Sequence, residues 1–253
     1  MSTEPDFLLI DISNSFTKIA PSRRDELAAE PVAIPTPDLD ARSLANLPWN
    51  SGGGFTVVLS SVVPEKDSVV EEAFGTRGLI KVAPGIDLGV AIDYPEPESI
   101  GADRLADAAA AVRFYGAPVI AVDFGTAVTF DIVSPQGAYV GGVIAPGLAA
   151  MTEYLFDHTA LLPRVDLEEP ASAIGKSTEG AMLAGAVIGY RGLVKEILGQ
   201  ISAELGLEGE PPVVATGGYA SLISSGLGCI EVVHPNLTLE GLRIIGGLNK
   251  PEP

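Results

Sequence analysis

The sequence predicts an α/β protein built as two related lobes with a ligand cleft between them, and three observations point there. A short apolar run ending in an acid, Leu8-Leu9-Ile10-Asp11, leads through a polar turn to a second strand-like stretch, Phe16 to Ile19. The same order returns in Val119-Ile120-Ala121-Val122-Asp123 followed by Val128 to Val133. A further pair, Val57 to Ser61 and Val213 to Gly218, reads as strands ending in small polar residues. Two halves that each carry an early Asp-bearing turn and a late small-residue turn describe a duplicated architecture.

Along the chain, Pro31 to Pro48 reads as loop and turn, and Gly52-Gly53-Gly54 as a flexible turn before a strand. Pro95, Pro97 and Ser99 mark the approach to an Ala-rich helix over Ala102 to Tyr115, which Pro118 closes. The boundary between lobes falls near Tyr115 to Pro118, giving lobes of residues 1–115 and 116–253. Pro163 to Pro170 reads as loop. Glu179 to Leu205 is helical in composition, with Gly185, Gly189 and Gly192 allowing either close helix contact or a break. Lys250 to Pro253 is a frayed end.

The bulk properties bound the function. With 253 residues, 47% hydrophobic and 19% charged, the chain can bury a sizeable core. A net charge of -18 argues against nucleic-acid partners, whose affinity comes from Lys and Arg releasing counterions. It does not argue against a nucleotide, which backbone N–H groups, a helix N-terminus and a metal can hold. The lone Cys229 forms no internal disulfide and fits a reducing compartment. The start is acidic, with no basic segment leading into an apolar run, and the uncharged stretch Gly180 to Tyr190 is too short for a bilayer. A cytoplasmic protein with no membrane partner is expected.

Asp11 and Asp123, each at a strand end, are candidates to hold a hydrated cation such as the Mg²⁺ of ATP; the alternative is that each bonds the amides of its own turn. Asn14, Ser15 and Thr17 in the first turn, and Gly125, Thr126 and Thr129 in the second, offer small side chains, hydroxyls and backbone N–H groups to phosphates. Gly101-Ala102-Asp103-Arg104 opens the Ala-rich helix. There Arg104 could fork onto a substrate carboxylate and Asp103 could accept a hydroxyl proton during phosphoryl transfer. The competing reading is a helix N-terminal charge contact with a surface ion pair. Thr216-Gly217-Gly218 allows close approach of a purine or merely makes a tight turn. Gly175-Lys176-Ser177 lacks the earlier glycine of a P-loop, since that position is Pro170. His158 and His234 have no metal-ligand spacing, and no serine-hydrolase elbow occurs.

Together these motifs resemble one family. Asp11-Ile-Ser-Asn-Ser, Tyr94-Pro-Glu-Pro with Gly101-Ala-Asp-Arg, Asp123-Phe-Gly-Thr-Ala-Val-Thr-Phe-Asp131, and Gly141-Gly-Val-Ile-Ala-Pro-Gly147 are similar to the signatures of type III pantothenate kinases. Leu162-Pro-Arg, Ile174 to Thr178, Ala215 to Gly218 and Leu237 to Leu242 follow in the family order, so the resemblance covers nearly the whole chain. It implies two ribonuclease-H-like lobes of the actin and sugar-kinase superfamily, and ATP-dependent phosphorylation of pantothenate, the first step of coenzyme A formation. By the same resemblance, Asp103 is the proton acceptor, while Asp11, Ser13, Asn14, Ser15, Phe16, Thr17 and Lys18, together with Thr126, meet ATP with its Mg²⁺. Asp123 holds a monovalent cation, K⁺ or NH₄⁺, and Tyr94, Gly101, Ala102, Asp103, Arg104 and Thr178 line the pantothenate site. A homodimer is implied as well.

Two departures stand out: the family has glycine where this chain has Ser13, and often again where it has Ala20. If either position needs positive φ, the added Cβ strains the loop and weakens the hold on ATP. That opens a second reading, a non-catalytic regulatory relative that binds pantothenate without turning over ATP. A third is an actin-like kinase for another small carboxylate or sugar.

Overall fold

In the computed structural model, which describes residues 5–49, 54–207 and 209–250, the first apolar run forms β1 (Phe7–Ile12). A hairpin turn leads to β2 (Phe16–Ser22), then to β3 (Val32–Pro35) and a 3-10 turn over Thr36–Asp38. Next come α1 (Ala41–Ala45), β4 (Thr56–Ser61), α2 (Pro64–Phe74), β5 (Leu79–Lys81), β6 (Ala91–Ile92) and α3 (Ala102–Tyr115). The second half contributes β7 (Val119–Phe124), β8 (Ala127–Val133), β9 (Ala138–Pro146), α4 (Ala150–His158) and α5 (Thr178–Leu205). It ends with β10 (Val213–Thr216), α6 (Ala220–Ser224), β11 (Val232–Val233) and α7 (Leu237–Asn249).

The chain divides into two units: Met1–Gly116 with Gly137–Val140 and Asn236–Pro253, and Ala117–Gln136 with Gly141–Pro235. The first carries a sheet of order β3-β2-β1-β4-β5. All six residues of β1 are buried, because the sheet is covered on both faces. Leu8, Ile10 and Ile12 join Leu44 of α1 and Val70 and Phe74 of α2 in one core cluster. On the other face, a Cβ at Gly246 of α7 would press on Val58 and Phe7, so glycine there lets the helix lie directly on the sheet. Gly241 does the same toward the backbone of Ala106 in α3. Burying Leu242 and Ile245 of α7 in this way stabilises the unit by roughly 1.5–3 kcal/mol per side chain.

The stretch from Asn236 therefore groups with the first unit, whereas a split at 115/116 assigns it to the second. The reason is packing: α7 finds its apolar cover on α3, β1 and β4. Pro31 to Pro48, read as loop, contains an edge strand, a 3-10 turn and a short helix. β3 pairs antiparallel with β2 over four residues, and Asp40 caps α1 by accepting from the Ser43 N–H at 2.7 Å. The glycine triplet lies outside the described residues apart from Gly54, and the end at 250–253 apart from Lys250.

The second sheet has the order β11-β10-β7-β8-β9-β6, of which β6 and the first residues of β9 group with the first unit. The pairing repeats the first: β7 is antiparallel to β8 and parallel to β10, as β1 is to β2 and β4. Asp11 lies opposite Lys18 and beside Ser60, and Asp123 lies opposite Thr129 and beside Thr216. The duplication read from the sequence thus holds residue by residue at the strand ends. Helix α5 runs unbroken through Gly185, Gly189 and Gly192, and a Cβ at each would meet open space.

Candidate active site

The tip of the β1–β2 hairpin gathers most of the expected phosphate-binding residues. Asp11 sits near the carboxyl end of β1, and its Oδ2 accepts the Ser13 hydroxyl at 3.2 Å. Ser13 is half-buried, while Asn14, Ser15 and Phe16 are exposed at the turn. Lys18 is half-buried, and as registered neighbours Lys18, Asp11 and Ser60 point to the same sheet face. Thr17 differs: it is fully buried, with its hydroxyl 3.0 Å from that of Thr36, so its side chain has no surface to offer a phosphate.

The two departures from glycine carry no backbone strain. No described residue other than glycine has positive φ, so neither Ser13 nor Ala20 does. Ser13 puts its added atoms to use on Asp11. Ala20 is fully buried in β2 opposite Leu9, three residues past Thr17, so its Cβ is packed in the sheet and does not stand beside a phosphate.

The second cluster of the first unit surrounds the start of α3. Gly101 is the helix N-cap at φ -58, and a Cβ there would come within 2.5 Å of Asp103 Oδ1. Glycine is needed at this position for room, not for its backbone freedom. Asp103 Oδ1 accepts the Arg104 N–H at 2.8 Å. Burial pushes the Asp103 pKa above the usual carboxylate range, and the Arg104 N–H and charge oppose the shift. The Gly101 position also lies 3.5 Å from Val62 Cγ1, and the Val62 N–H donates to the Ile12 carbonyl at 3.0 Å. The start of α3 and the tip of β1 therefore share one end of the first unit. This is the carboxyl end of β1 and β4, where α/β sheets commonly bind ligands.

Tyr94 and Arg104 are organised by a residue that sequence reasoning missed. Tyr139, fully buried, accepts the Asp93 N–H on its carbonyl at 2.8 Å. Its ring lies edge-on to Tyr94 at 6.2 Å between centroids, and the Arg104 guanidinium stands 5.8 Å above it. The register Ile92 opposite Tyr139, between β6 and the start of β9, brings these together. A two-residue strand leaves too little pattern to be read. Thr36 was missed for a different reason, because it follows Pro35 within a stretch bracketed by prolines.

In the second unit, Asp123 is half-buried and Thr126 is exposed at the β7–β8 tip. Gly217, at φ +91, closes on Asp123, and a Cβ there would strike the carboxylate and the Phe124 backbone. Gly147 lies against the Gly125 and Thr126 carbonyls, and its N–H donates to the Thr126 carbonyl at 3.0 Å. Thr178 opens α5 and lines a cavity of about 580 Å³ with Met151, Leu155, Leu162 and Met182. Gly175-Lys176-Ser177 serves as the helix start: Ser177 Oγ accepts the Gly180 N–H at 3.0 Å, capping α5.

The sequence profile of type III pantothenate kinase matches residues 7–200. This chain belongs to the type III pantothenate kinase family. A relative in Akkermansia muciniphila named type III pantothenate kinase is 49% identical over 248 residues, covering 96% of this chain and 99% of its own. Among solved structures, a Sinorhizobium meliloti chain proposed to be a 2-dehydro-3-deoxygalactonokinase superposes at TM-score 0.61 with 14% identity, covering 98% of each chain. An inorganic polyphosphate/ATP-glucomannokinase from Arthrobacter sp. strain KM superposes at 0.51 with 14% identity, covering 98% of this chain and 100% of its own. At such identities the likeness concerns the fold alone, and it agrees with the two-sheet α/β arrangement of this member of the type III pantothenate kinase family.

Proposed function

We propose that this chain transfers the γ-phosphoryl group of ATP to the terminal hydroxyl of pantothenate, forming ADP and 4′-phosphopantothenate, the first step of coenzyme A formation. The observation that carries this reading is the near end-to-end correspondence with a relative named type III pantothenate kinase. As the hydroxyl oxygen bonds to the γ-phosphorus, the bond from that phosphorus to the β-γ bridging oxygen breaks, and Asp103 takes the hydroxyl proton. The transition state is loose, so the proton leaves late and a carboxylate is basic enough. Burial raises that basicity. Arg104, backed by Tyr139, would pair with the pantothenate carboxylate, beside Tyr94, Gly101 and Ala102.

Ser13, Asn14, Ser15, Phe16 and Lys18 would meet the ATP phosphates. Thr126, exposed at the β7–β8 tip, is proposed as a further ATP contact. Asp11 would hold the Mg²⁺ that accompanies ATP and neutralises developing charge. A single buried carboxylate at the end of β1 fits an ion that takes only one or two protein carboxylates. At the end of β7, the half-buried Asp123 carboxylate would hold a monovalent cation, K⁺ or NH₄⁺.

A homodimer is part of the proposal. Ile144, Met151, Tyr154, Leu161 and Ile174 of the second unit are all exposed, close in sequence to Thr178 and its apolar cavity. A second copy of the chain would cover them, and Thr178 would then line a pantothenate pocket. Within the described residues no helix is long and apolar enough to cross a membrane. The cytoplasm, where ATP is abundant and a lone thiol stays reduced, is the proposed location.

The test is ADP release by purified protein with ATP, Mg²⁺ and K⁺. Release that depends on pantothenate is expected, and equal rates with and without it would end this reading. Light scattering in solution tests the dimer separately.

A further inference from the structure

Thr36 lies outside every signature motif, yet it touches the hairpin tip at three points. Its backbone N–H donates to the Ser15 carbonyl at 3.0 Å. Its hydroxyl donates to the Ser13 carbonyl at 2.6 Å, and the same oxygen is 3.0 Å from Thr17 Oγ1. A threonine hydroxyl has one proton, and Thr36 spends it on Ser13, so Thr17 is the donor of the remaining bond. Thr36 is 2% exposed and Thr17 fully buried, which leaves water little access to compete for these bonds.

The consequence for the turn follows from peptide planarity. In a trans peptide the C=O and the next N–H point in opposite directions. With the Ser13 and Ser15 carbonyls drawn onto Thr36, the N–H groups of Asn14 and Phe16 face away from it. The carbonyl oxygens, which would repel a phosphate, are held inward, and N–H groups, which attract one, are turned the other way. A buried hydroxyl behind the turn thus sets the polarity of its front.

We propose that Thr36 is a positioning residue for the ATP-phosphate turn at Ser13 to Phe16, acting through the orientation of its peptide groups without touching ATP. This rests on the reading that the turn binds ATP. Thr36→Val keeps the shape and removes the hydroxyl, while Thr36→Ser keeps the hydroxyl. KM for ATP, KM for pantothenate, kcat and melting temperature are measured for native protein and both variants, with binding of a non-hydrolysable ATP analogue by calorimetry.

The expected result is a rise of about tenfold in KM for ATP and in the analogue Kd for Thr36→Val, with KM for pantothenate unchanged and Thr36→Ser close to native. A native KM for ATP in Thr36→Val overturns the proposal. So do equal rises in both KM values accompanied by a lowered melting temperature, because that pattern marks general loosening. Should Thr36→Val not fold, Thr17→Val removes only the outer donor and is expected to raise KM for ATP by a smaller factor; no rise overturns the proposal. The two levels fail differently. Native protein without pantothenate-dependent ADP release defeats the functional reading and this role together, whereas an active native enzyme with an indifferent Thr36→Val defeats this role alone.

Discussion

The two hairpins share one pairing plan, and beyond backbone bonds common to both they hold their tips by different means. At β1–β2 the turn is braced by side-chain oxygens: Ser13 bonds Asp11, and Thr36 bonds the Ser13 carbonyl. At β7–β8 glycines close on the tip, with Gly147 against the Gly125 and Thr126 carbonyls and Gly217 against the Asp123 carboxylate and the Phe124 backbone. The strand register locates the difference. Ser61 follows the partner of Asp11 and Gly217 follows the partner of Asp123, but Val62 returns its N–H to Ile12 one residue sooner than Tyr219 returns its own to Phe124. The second unit has one extra residue in that return, at φ +91, where glycine is favoured. A hydroxyl-braced tip tolerates change and can be tuned; a glycine-crowded one cannot.

The largest effect is expected at the chemistry of the first unit. Asp103→Asn should lower kcat by roughly 10²–10⁴-fold while leaving ligand binding nearly intact, as loss of a general base does. Steady-state kinetics and pantothenate calorimetry check this. The same variant carries a pH signature. Since burial lifts the Asp103 pKa, the ionised carboxylate costs folding free energy at pH above that lifted value. Stability tied to the protonated form is complete below the ordinary aspartate range and is lost as pH rises through the lifted pKa. Asp103→Asn is therefore expected to melt above native protein at neutral pH, with the gap closing in acid. A melting series that shows the gap widening in acid would reverse the sign and refute the assignment.

Next in size is the contrast between tips. Gly217→Ala should destabilise by about 2–4 kcal/mol, because its Cβ must displace the Asp123 carboxylate or the Phe124 backbone. The matching Ser61→Ala loses one bond, from the Val63 N–H at 3.2 Å to Ser61 Oγ, and should cost about 1 kcal/mol. Denaturant unfolding of both variants measures the difference, and equal losses would erase the distinction drawn here.

Gly101→Ala sharpens it from the other side. Its Cβ presses on the movable end of Asp103 and makes ordinary contact with Val62 and Arg104, so about 0.5 kcal/mol or less of stability should change while kcat falls with the displaced carboxylate. The smallest effect is expected for Ser60→Ala. The Ser60 hydroxyl is buried beside Asp11 with no hydrogen-bond partner among the described residues, so its removal should leave stability unchanged or raise it by up to about 1 kcal/mol. A clear loss of melting temperature would show that the hydroxyl is bonded after all.

The sequence made legible those elements whose signal is local. Continuous apolar runs marked β1, β7, β4 and β10, and the Ala-rich stretch marked α3, because burial on both sheet faces and on one helix face imposes those patterns. The acids at the strand ends and the Gly101 to Arg104 segment were legible as well, since a run ending in Asp and a glycine opening a helix are short-range features. What stayed hidden depends on distant partners. Thr36 becomes meaningful only when β3 lies beside β2, and Tyr139 only when β6 pairs with β9. The glycines of α7 declare its home only where they meet Ala106 and Phe7.

That last helix has a consequence for the newborn chain. Residues 237–249 cover the face of β1 and β4, so the inner layer made by Phe7 and Val58 waits uncovered until α7 has been made. Residues 117–136 and 141–235 group as a unit of their own, whereas β1 is covered by a helix made long after it. A chain halted before Leu237 should bind a hydrophobic dye that the chain carrying α7 excludes, which would make the synthesis of α7 the step that completes the first unit.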